Sequence, residues 1–181
     1  GHLNQIPITG TIDNVVDGLR NRINNIEFQN QTNIHSTIYF CRALNNEFNF
    51  TVDAAADAEN CKVERHWDEQ TDGLKQDWNN EIVWCNPPYG RNVPEWLKKG
   101  QEAAKNGGTS VFLIPARTNT IWFHKLCLAA DEVRFVKGRP KFYNYANEDK
   151  EATHGLPVPL CLVIYKPNSN GCKIGTYDWR K

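Results

Sequence analysis

The chain has 181 residues, with 21 basic and 21 acidic side chains and a formal net charge of zero. That length suffices for one domain with a real core, and the balanced charge excludes a protein that grips nucleic acid by bulk electrostatics, so any nucleic acid has to meet a local patch. Six cysteines without a CxxC pair give neither zinc-ligand spacing nor a disulfide framework, no signal peptide is visible, and no apolar run reaches the roughly 18 residues of a membrane span, which together predict a metal-free cytoplasmic protein with no membrane partner.

Residues 1–10 are polar, and the apolar residues Ile12, Val15, Val16, Leu19 and Ile23 then recur at helical spacing. Asn24–Ser36 is rich in Asn and Gln, so residues 1–36 read as an N-terminal helix and polar arm ahead of a main domain at 37–181. Thr37–Leu44 reads as a second helix with Ile38, Phe40, Cys41 and Leu44 facing inward. Phe48–Asp53 alternates apolar and polar as a half-buried strand does, and runs into Ala54-Ala55-Ala56. A strand that ends in an acid and continues in small residues lets backbone approach a charged small ligand, with Asp53 meeting an ammonium group. The same residues also suit an ordinary helix over Ala54–Ala58 with Asp53 as its N-cap. Cys61–Gln76 is charged and has no period. Asp77-Trp78 is either an acid-plus-aromatic grip on an adenine or a loop with a partly buried indole.

Ile82-Val83-Trp84-Cys85 reads as a buried strand, and Asn86-Pro87-Pro88-Tyr89-Gly90 ends it. Neither proline donates a backbone N–H, and each fixes its own φ near −65°. Asn86 and Pro87, each preceding a proline, are driven towards extended conformations. The result is a stiff hook that offers an amide oxygen, a carbonyl and an aromatic ring, a set suited to holding a planar aromatic amine. Accepting both hydrogens of an exocyclic NH2 draws the nitrogen lone pair out of conjugation and makes the nitrogen a nucleophile. An ordinary Pro-Pro turn with a packed tyrosine is the plainer reading of the tetrapeptide alone.

Val93–Asn106 reads as a helix with Trp96, Leu97, Ala103 and Ala104 on its apolar side, Pro94 in its first turn and Gly107-Gly108 closing it. Ser110–Pro115 is the next buried strand, and Asn119–Ala130 a helix whose apolar residues are Ile121, Trp122, Leu126 and Leu128. His124 and Trp122 read as structural. Glu132–Val136 is a short strand that leads into the basic turn Lys137-Gly138-Arg139-Pro140-Lys141. Asn144–Gly155 reads as a polar loop, Leu160–Tyr165 as a last buried strand, and the tail from Lys166 as polar with Tyr177 and Trp179 as anchors. Buried strands alternating with helices predict a single α/β domain with a mostly parallel central sheet. Ligands gather at the carboxyl ends of such strands, which brings Asp53, Asn86 and Pro115 onto one rim.

With these segments in order, the chain resembles the phage-type DNA N6-adenine methyltransferases. The resemblance rests on Thr51-Val52-Asp53-Ala54-Ala55 with Asn60 after it, on Trp84 to Gly90, on Pro115-Ala116-Arg117-Thr118-Asn119-Thr120, on Trp122-Phe123-His124 and on Gly138 to Phe142. It implies a Rossmann-like S-adenosylmethionine-dependent methyltransferase fold and methyl transfer to N6 of adenine in DNA, with the target base flipped out of the duplex. It also implies Asn86, Pro87, Pro88 and Tyr89 as the catalytic motif, and Asp53, Ala54 and Ala55 as the first donor-binding motif. Asp77 and Trp78 would hold the donor's adenine. Thr37 stands where the family carries a Thr-Pro against the donor carboxylate, with Ile38 in the proline's place. Arg117, Lys137, Arg139 and Lys141 are the candidates for contacting DNA, by phosphate or base edge. The sulfonium methyl is already electrophilic, so S-adenosylmethionine is the expected cofactor and no metal is called for. A monomer is the default. Two alternatives share these residues: a protein glutamine N-methyltransferase, and a non-catalytic DNA-binding domain of the same fold.

Overall fold

The apolar runs of the sequence become the strands of one six-stranded sheet. The computed structural model describes residues 40–56, 63–140 and 158–180; the expected helix over Ile12–Ile23, the arm to residue 36, and the polar loop at 144–155 lie outside them. The strands are β1 (Val52–Asp53), β2 (Ile82–Cys85), β3 (Thr109–Pro115), β4 (Glu132–Val136), β5 (Leu160–Tyr165) and β6 (Lys173–Tyr177). Their order across the sheet is β1-β2-β3-β5-β4-β6. Every pairing is parallel except the two made by β5, which runs antiparallel to both β3 and β4. The sheet is therefore mostly parallel, in a Rossmann-like α/β arrangement.

Side chains alternate across the sheet and feed two cores. On one face Val83, Cys85, Phe112, Ile114, Cys161 and Val163 pack under α2 (Val93–Lys105) and α3 (Ile121–Leu126). On the other, Trp84, Val111, Leu113, Leu160, Leu162 and Ile164 pack against α1 (residues 40–48) through Phe40, Cys41 and Leu44. Strands β3 and β5 are buried over nearly their whole length, as strands covered on both faces must be. Helix α2 turns Val93, Trp96, Leu97, Gly100 and Ala103 inward. Gly100 is needed there, because a Cβ would stand 2.5 Å from both Phe112 and the Ser110 Oγ.

Three expectations need correction. Phe48–Asp53 is not one strand: α1 runs through Phe48, Asn49 takes a left-handed φ of 56°, and only Val52–Asp53 pairs. The Asn45 side chain fixes that turn by accepting from the Phe50 N–H at 2.7 Å. The alternation arose because Phe48 and Phe50 join the same core from a helix end and a turn. The helix expected over Asn119–Ala130 is α3 followed by a 3-10 turn at Cys127–Ala129, which leaves Ile121 and Leu128 exposed while Phe123, Leu126 and Cys127 are buried. Finally, the polar tail contributes the edge strand β6, a mostly exposed ribbon that pairs with β4, and the expected anchors Tyr177 and Trp179 pack partly buried against the core. Among the described residues no helix is long and apolar enough to cross a membrane, and Cys85, Cys127, Cys161 and Cys172 are free thiols.

Candidate active site

Because β1, β2 and β3 run parallel, the residues that follow them leave the sheet along one edge. Asp53 is level with Trp84, and Cys85 with Phe112, so Asp53, Asn86 and Pro115 share a rim. The backbone around Asp53 is held from both sides. Ala54 donates its N–H to the Trp84 carbonyl at 2.9 Å, while Asp53 exchanges bonds with Arg65 and Trp67, each at 2.9 Å. The Ala54–Ala56 stretch is a bend with no helix, so the N-cap alternative for Asp53 does not hold over the described residues.

A cleft of ≈ 970 Å³ opens at this rim, between the loops that follow β1 and β2. Its walls are Ala54–Ala56, Trp67 and the 68–74 segment, then Pro88 to Asn92 and Trp96 of α2. The 68–74 segment comes close because residue 73 is glycine: a Cβ there would run into the Ala54 carbonyl oxygen. Asp68 and Asp72 shape this wall by capping its turns. Asp68 accepts from the Thr71 N–H at 2.8 Å and Asp72 from the Leu74 N–H at 3.1 Å. Bonds from the Thr71 backbone and hydroxyl hold the Asp68 carboxyl below its usual range, so it is ionised.

Asn86 Oδ1 and Tyr89 Oη are buried, and neither has a hydrogen-bond partner among the described residues. Leaving such an atom unmet costs on the order of 1–3 kcal/mol, and groups left so in a native structure call for an explanation. Two of them from one tetrapeptide at the rim of a cleft mark a place built to receive something. Pro87 is buried and Pro88 exposed, and the Tyr89 ring leans on the core that contains Trp84 and Leu160. Burial pushes the Tyr89 phenol up, and the nearby Cys161 and Cys85 thiols add to the effect, so the hydroxyl is neutral. Asp53 is 2% exposed and lies behind the alanine wall, with Oδ1 accepting from the Ala55 N–H at 3.4 Å. Its charge reaches the Cys85 thiol, whose pKa is raised chiefly by burial and further by Asp53.

Trp78 is not where an adenine-holding ring has to be. It is 1% exposed, donates its indole N–H to the Gly73 carbonyl at 2.8 Å, and packs among Trp67, Trp96 and Phe112. Asp77 is exposed, and its Oδ1 caps the turn at the Asn79 N–H. The pair is the loop with a buried indole that the residues alone also allowed. Trp67, Leu74 and Trp96 present the apolar surface of the cleft instead. Trp67 and Leu74 sit in the charged run without period, where nothing in the sequence distinguishes a wall from a loop.

Arg117 follows β3 and Arg139 follows β4; both are exposed, and neither has an acidic partner among the described residues. Lys137 is also exposed but stands 3.7 Å from Asp178. Thr37 and Lys141 lie outside the described residues. His124 bonds the Thr118 carbonyl through Nε2 at 2.8 Å and pins the loop before α3, and Trp122 packs partly buried against the core, both structural as read. Among the described residues no cluster of three or more His, Cys, Asp or Glu side chains could hold a metal ion.

Comparison with known proteins points in one direction. The family profile described as DNA N-6-adenine-methyltransferase (Dam) matches residues 29–180. A DNA N-6-adenine-methyltransferase of Haemophilus phage HP1 (strain HP1c1) is 29% identical over 121 residues, covering 66% of this chain and 69% of that protein. Another, of Escherichia phage T1, is 34% identical over 90 residues, 49% of this chain but only 37% of the relative's length.

Proposed function

The chain belongs to the DNA N-6-adenine-methyltransferase family, and from that premise we propose that it transfers a methyl group from S-adenosylmethionine to the exocyclic N6 of adenine in DNA. The observation that carries this reading is the buried, unmet Asn86 Oδ1 at the carboxyl end of β2, in the loop whose following residues, Pro88 to Asn92, line the cleft.

An adenine amino group is a poor nucleophile because its lone pair is delocalised into the ring. Asn86 Oδ1 and the Pro87 carbonyl accept its two hydrogens and localise the pair on N6. The same two oxygens stabilise the positive charge that grows on nitrogen during transfer, as fixed dipoles aimed at a developing charge do. The prolines keep both acceptors stiff, so little reorganisation is needed. Tyr89 stacks on the adenine, which has to leave the duplex to reach the hook.

S-adenosylmethionine would supply an electrophilic methyl on a sulfonium: as the N–CH3 bond forms the S–CH3 bond breaks to leave a neutral thioether, and the extra proton on N6 is lost to solvent after transfer. The cleft suits this donor in size, near the upper end of the roughly 300–1,000 Å³ usual for small-molecule sites. It suits it in charge too: Asp68, Glu69 and Asp72 line the cleft against Arg91, Asp72 being offset by Lys75 at 3.1 Å, and the donor is a net cation. Trp67, Leu74 and Trp96 offer apolar surface for the donor's adenine. Ala54 and Ala55 let the chain approach closely, with the Asp53 carboxylate behind them. Arg117 and Arg139, exposed and without acidic partners among the described residues, receive phosphate charge on the DNA side. Methyl-labelled S-adenosylmethionine offered with duplex DNA and with a glutamine-bearing protein tests the reading. Label recovered as N6-methyladenine supports it, and label in protein alone, or in neither, overturns it.

A further inference from the structure

We propose that Arg91 is the residue that binds the carboxylate of the methyl donor's methionine tail, an inference that rests on the methyl-transfer reading above. Arg91 lines the same cleft as Asp68, Glu69 and Asp72, yet no ion pair joins it to any of them or to another acid among the described residues. Arg65 pairs with Glu81, Arg134 with Glu47 and Glu132, and Arg180 with Asp178, whereas Arg117 and Arg139 share the unpaired state of Arg91 among the described residues; what sets Arg91 apart from those two is that it lines the cleft. Of the cleft carboxylates Asp72 is matched by Lys75 at 3.1 Å and Asp68 by the Thr71 N–H at 2.8 Å, which leaves Arg91 as a cation open to a ligand that brings its own anion.

The donor's tail is such a ligand. It carries an ammonium and a carboxylate beside the sulfonium, so two positive groups face the acids and one negative group needs a cation. Among the described residues of the cleft Arg91 is the only cationic side chain. Backbone cannot easily take its place. At the start of α2 Pro94 has no N–H to give, and the Glu95 and Trp96 N–H groups already bond the Asn92 carbonyl at 3.0 and 3.4 Å. Thr37, outside the described residues, would offer a hydroxyl and no charge. A guanidinium presents two parallel donors that match a carboxylate. Arg91 also stands two residues beyond Tyr89, so one loop carries both the grip on the tail and the ring that meets the target base. Arg117 and Arg139 are not among the cleft residues, and they are the better candidates for phosphate.

Decarboxylated S-adenosylmethionine differs from the donor only in lacking that carboxylate, and calorimetry with both ligands isolates the contact. The unaltered protein is expected to bind the full donor about 10- to 100-fold more tightly than the decarboxylated one, the range of a charge-assisted pair. Arg91→Gln should weaken the full donor by about the same factor and leave the decarboxylated ligand within about twofold, and Arg91→Lys should fall between. Equal weakening of both ligands in Arg91→Gln would mean that the loop is disturbed, and overturns the assignment. So does unchanged donor affinity together with weaker binding of an adenine-containing duplex, which would make Arg91 a phosphate contact. If the unaltered protein binds neither ligand, the methyl-transfer reading itself fails and the assignment falls with it.

Discussion

Two regions of this molecule treat polar groups in opposite ways. Where α1 meets β4, Arg134 donates to Glu132 at 2.7 and 3.0 Å and to Glu47 at 2.8 and 2.6 Å, with its guanidinium over the Phe48 ring. Every strong group there is matched by another from the same chain. At the carboxyl rim the Asn86 amide oxygen and the Tyr89 hydroxyl are buried and unmet, and Arg91, Arg117 and Arg139 have no acids among the described residues. The first region fixes a helix to a sheet. The second leaves its polar capacity to a ligand, at some cost in stability. The contrast separates structural from binding groups more sharply than residue type does, since both regions use arginines and buried polar atoms.

The comparison breaks if Asn86→Ala behaves like a stability mutation. Its expected effect is a fall in adenine methylation of about 10²–10³-fold, the size seen when one preorganised polar contact to a developing charge is lost. The melting temperature should not fall, because the change removes an unsatisfied buried acceptor. Turnover assays paired with thermal melts decide it, and a variant that keeps its activity removes Asn86 from the reaction.

Gly73→Ala tests where the two regimes meet, since this glycine is structural in itself but brings the 68–74 segment onto the cleft. The added methyl must push the wall away from the Ala54 carbonyl. Donor affinity should drop about tenfold or more, with a loss of about 1–3 kcal/mol in stability from the forced shift. Donor titration and denaturant unfolding of one preparation measure both.

Arg134→Ala is the converse of Asn86→Ala. With side chains 15% exposed for Arg134 and 19% for Glu132 but 44% for Glu47, solvent screening limits the expected loss to about 1–2 kcal/mol, and methylation by the folded variant should be unchanged. The hydrogen bonds from Arg134 hold the Glu47 and Glu132 carboxyls below their ordinary value of 4.5. The folded state therefore takes up protons less readily than the unfolded one, and this stability is present above pH 4.5 and lost as pH falls below it. Melting temperatures of the variant and the unaltered protein should thus converge in acid. A gap that persists once both carboxyls are protonated in the folded protein would assign the role of Arg134 to its packing on Phe48.

The smallest effect sharpens the comparison within the rim. Removing Arg117 or Arg139 should each lower the slope of log affinity for DNA against log salt by about 0.9. Removing Lys137, already beside Asp178, should lower it less. Equal slopes for all three would mean that the Asp178 pairing is broken on binding.

Much of the fold is legible in residue order. Ile82–Cys85, Ser110–Pro115 and Leu160–Tyr165 are short apolar runs, and strands buried on both faces need nothing more to be read. The hook is legible for the same kind of reason, since two prolines constrain backbone wherever they stand. Short alternations are less reliable: Phe48 and Phe50 gave the period of a strand while belonging to a helix end and a left-handed turn. Strand β6 was not legible as a strand, because on this mostly exposed edge only an anchor such as Tyr177, which packs on Phe40, marks the sequence.

What the sequence determined by itself was the strand–hook–helix unit around Asn86 and the class of chemistry it suits, because prolines, an amide and buried apolar runs act locally. Only the tertiary structure decided what stands opposite that unit. It put Trp78 into the core and Trp67, Asp68, Asp72 and Gly73 into the cleft wall, and it left Arg91 unpaired beside three acids. The reason is physical: a charged, aperiodic segment such as 61–76 carries no local preference strong enough to fix its path. The course of its described part, 63–76, is set by the close approach of Gly73 to Ala54 and by backbone bonds to Asp53, contacts that exist only once the sheet has formed.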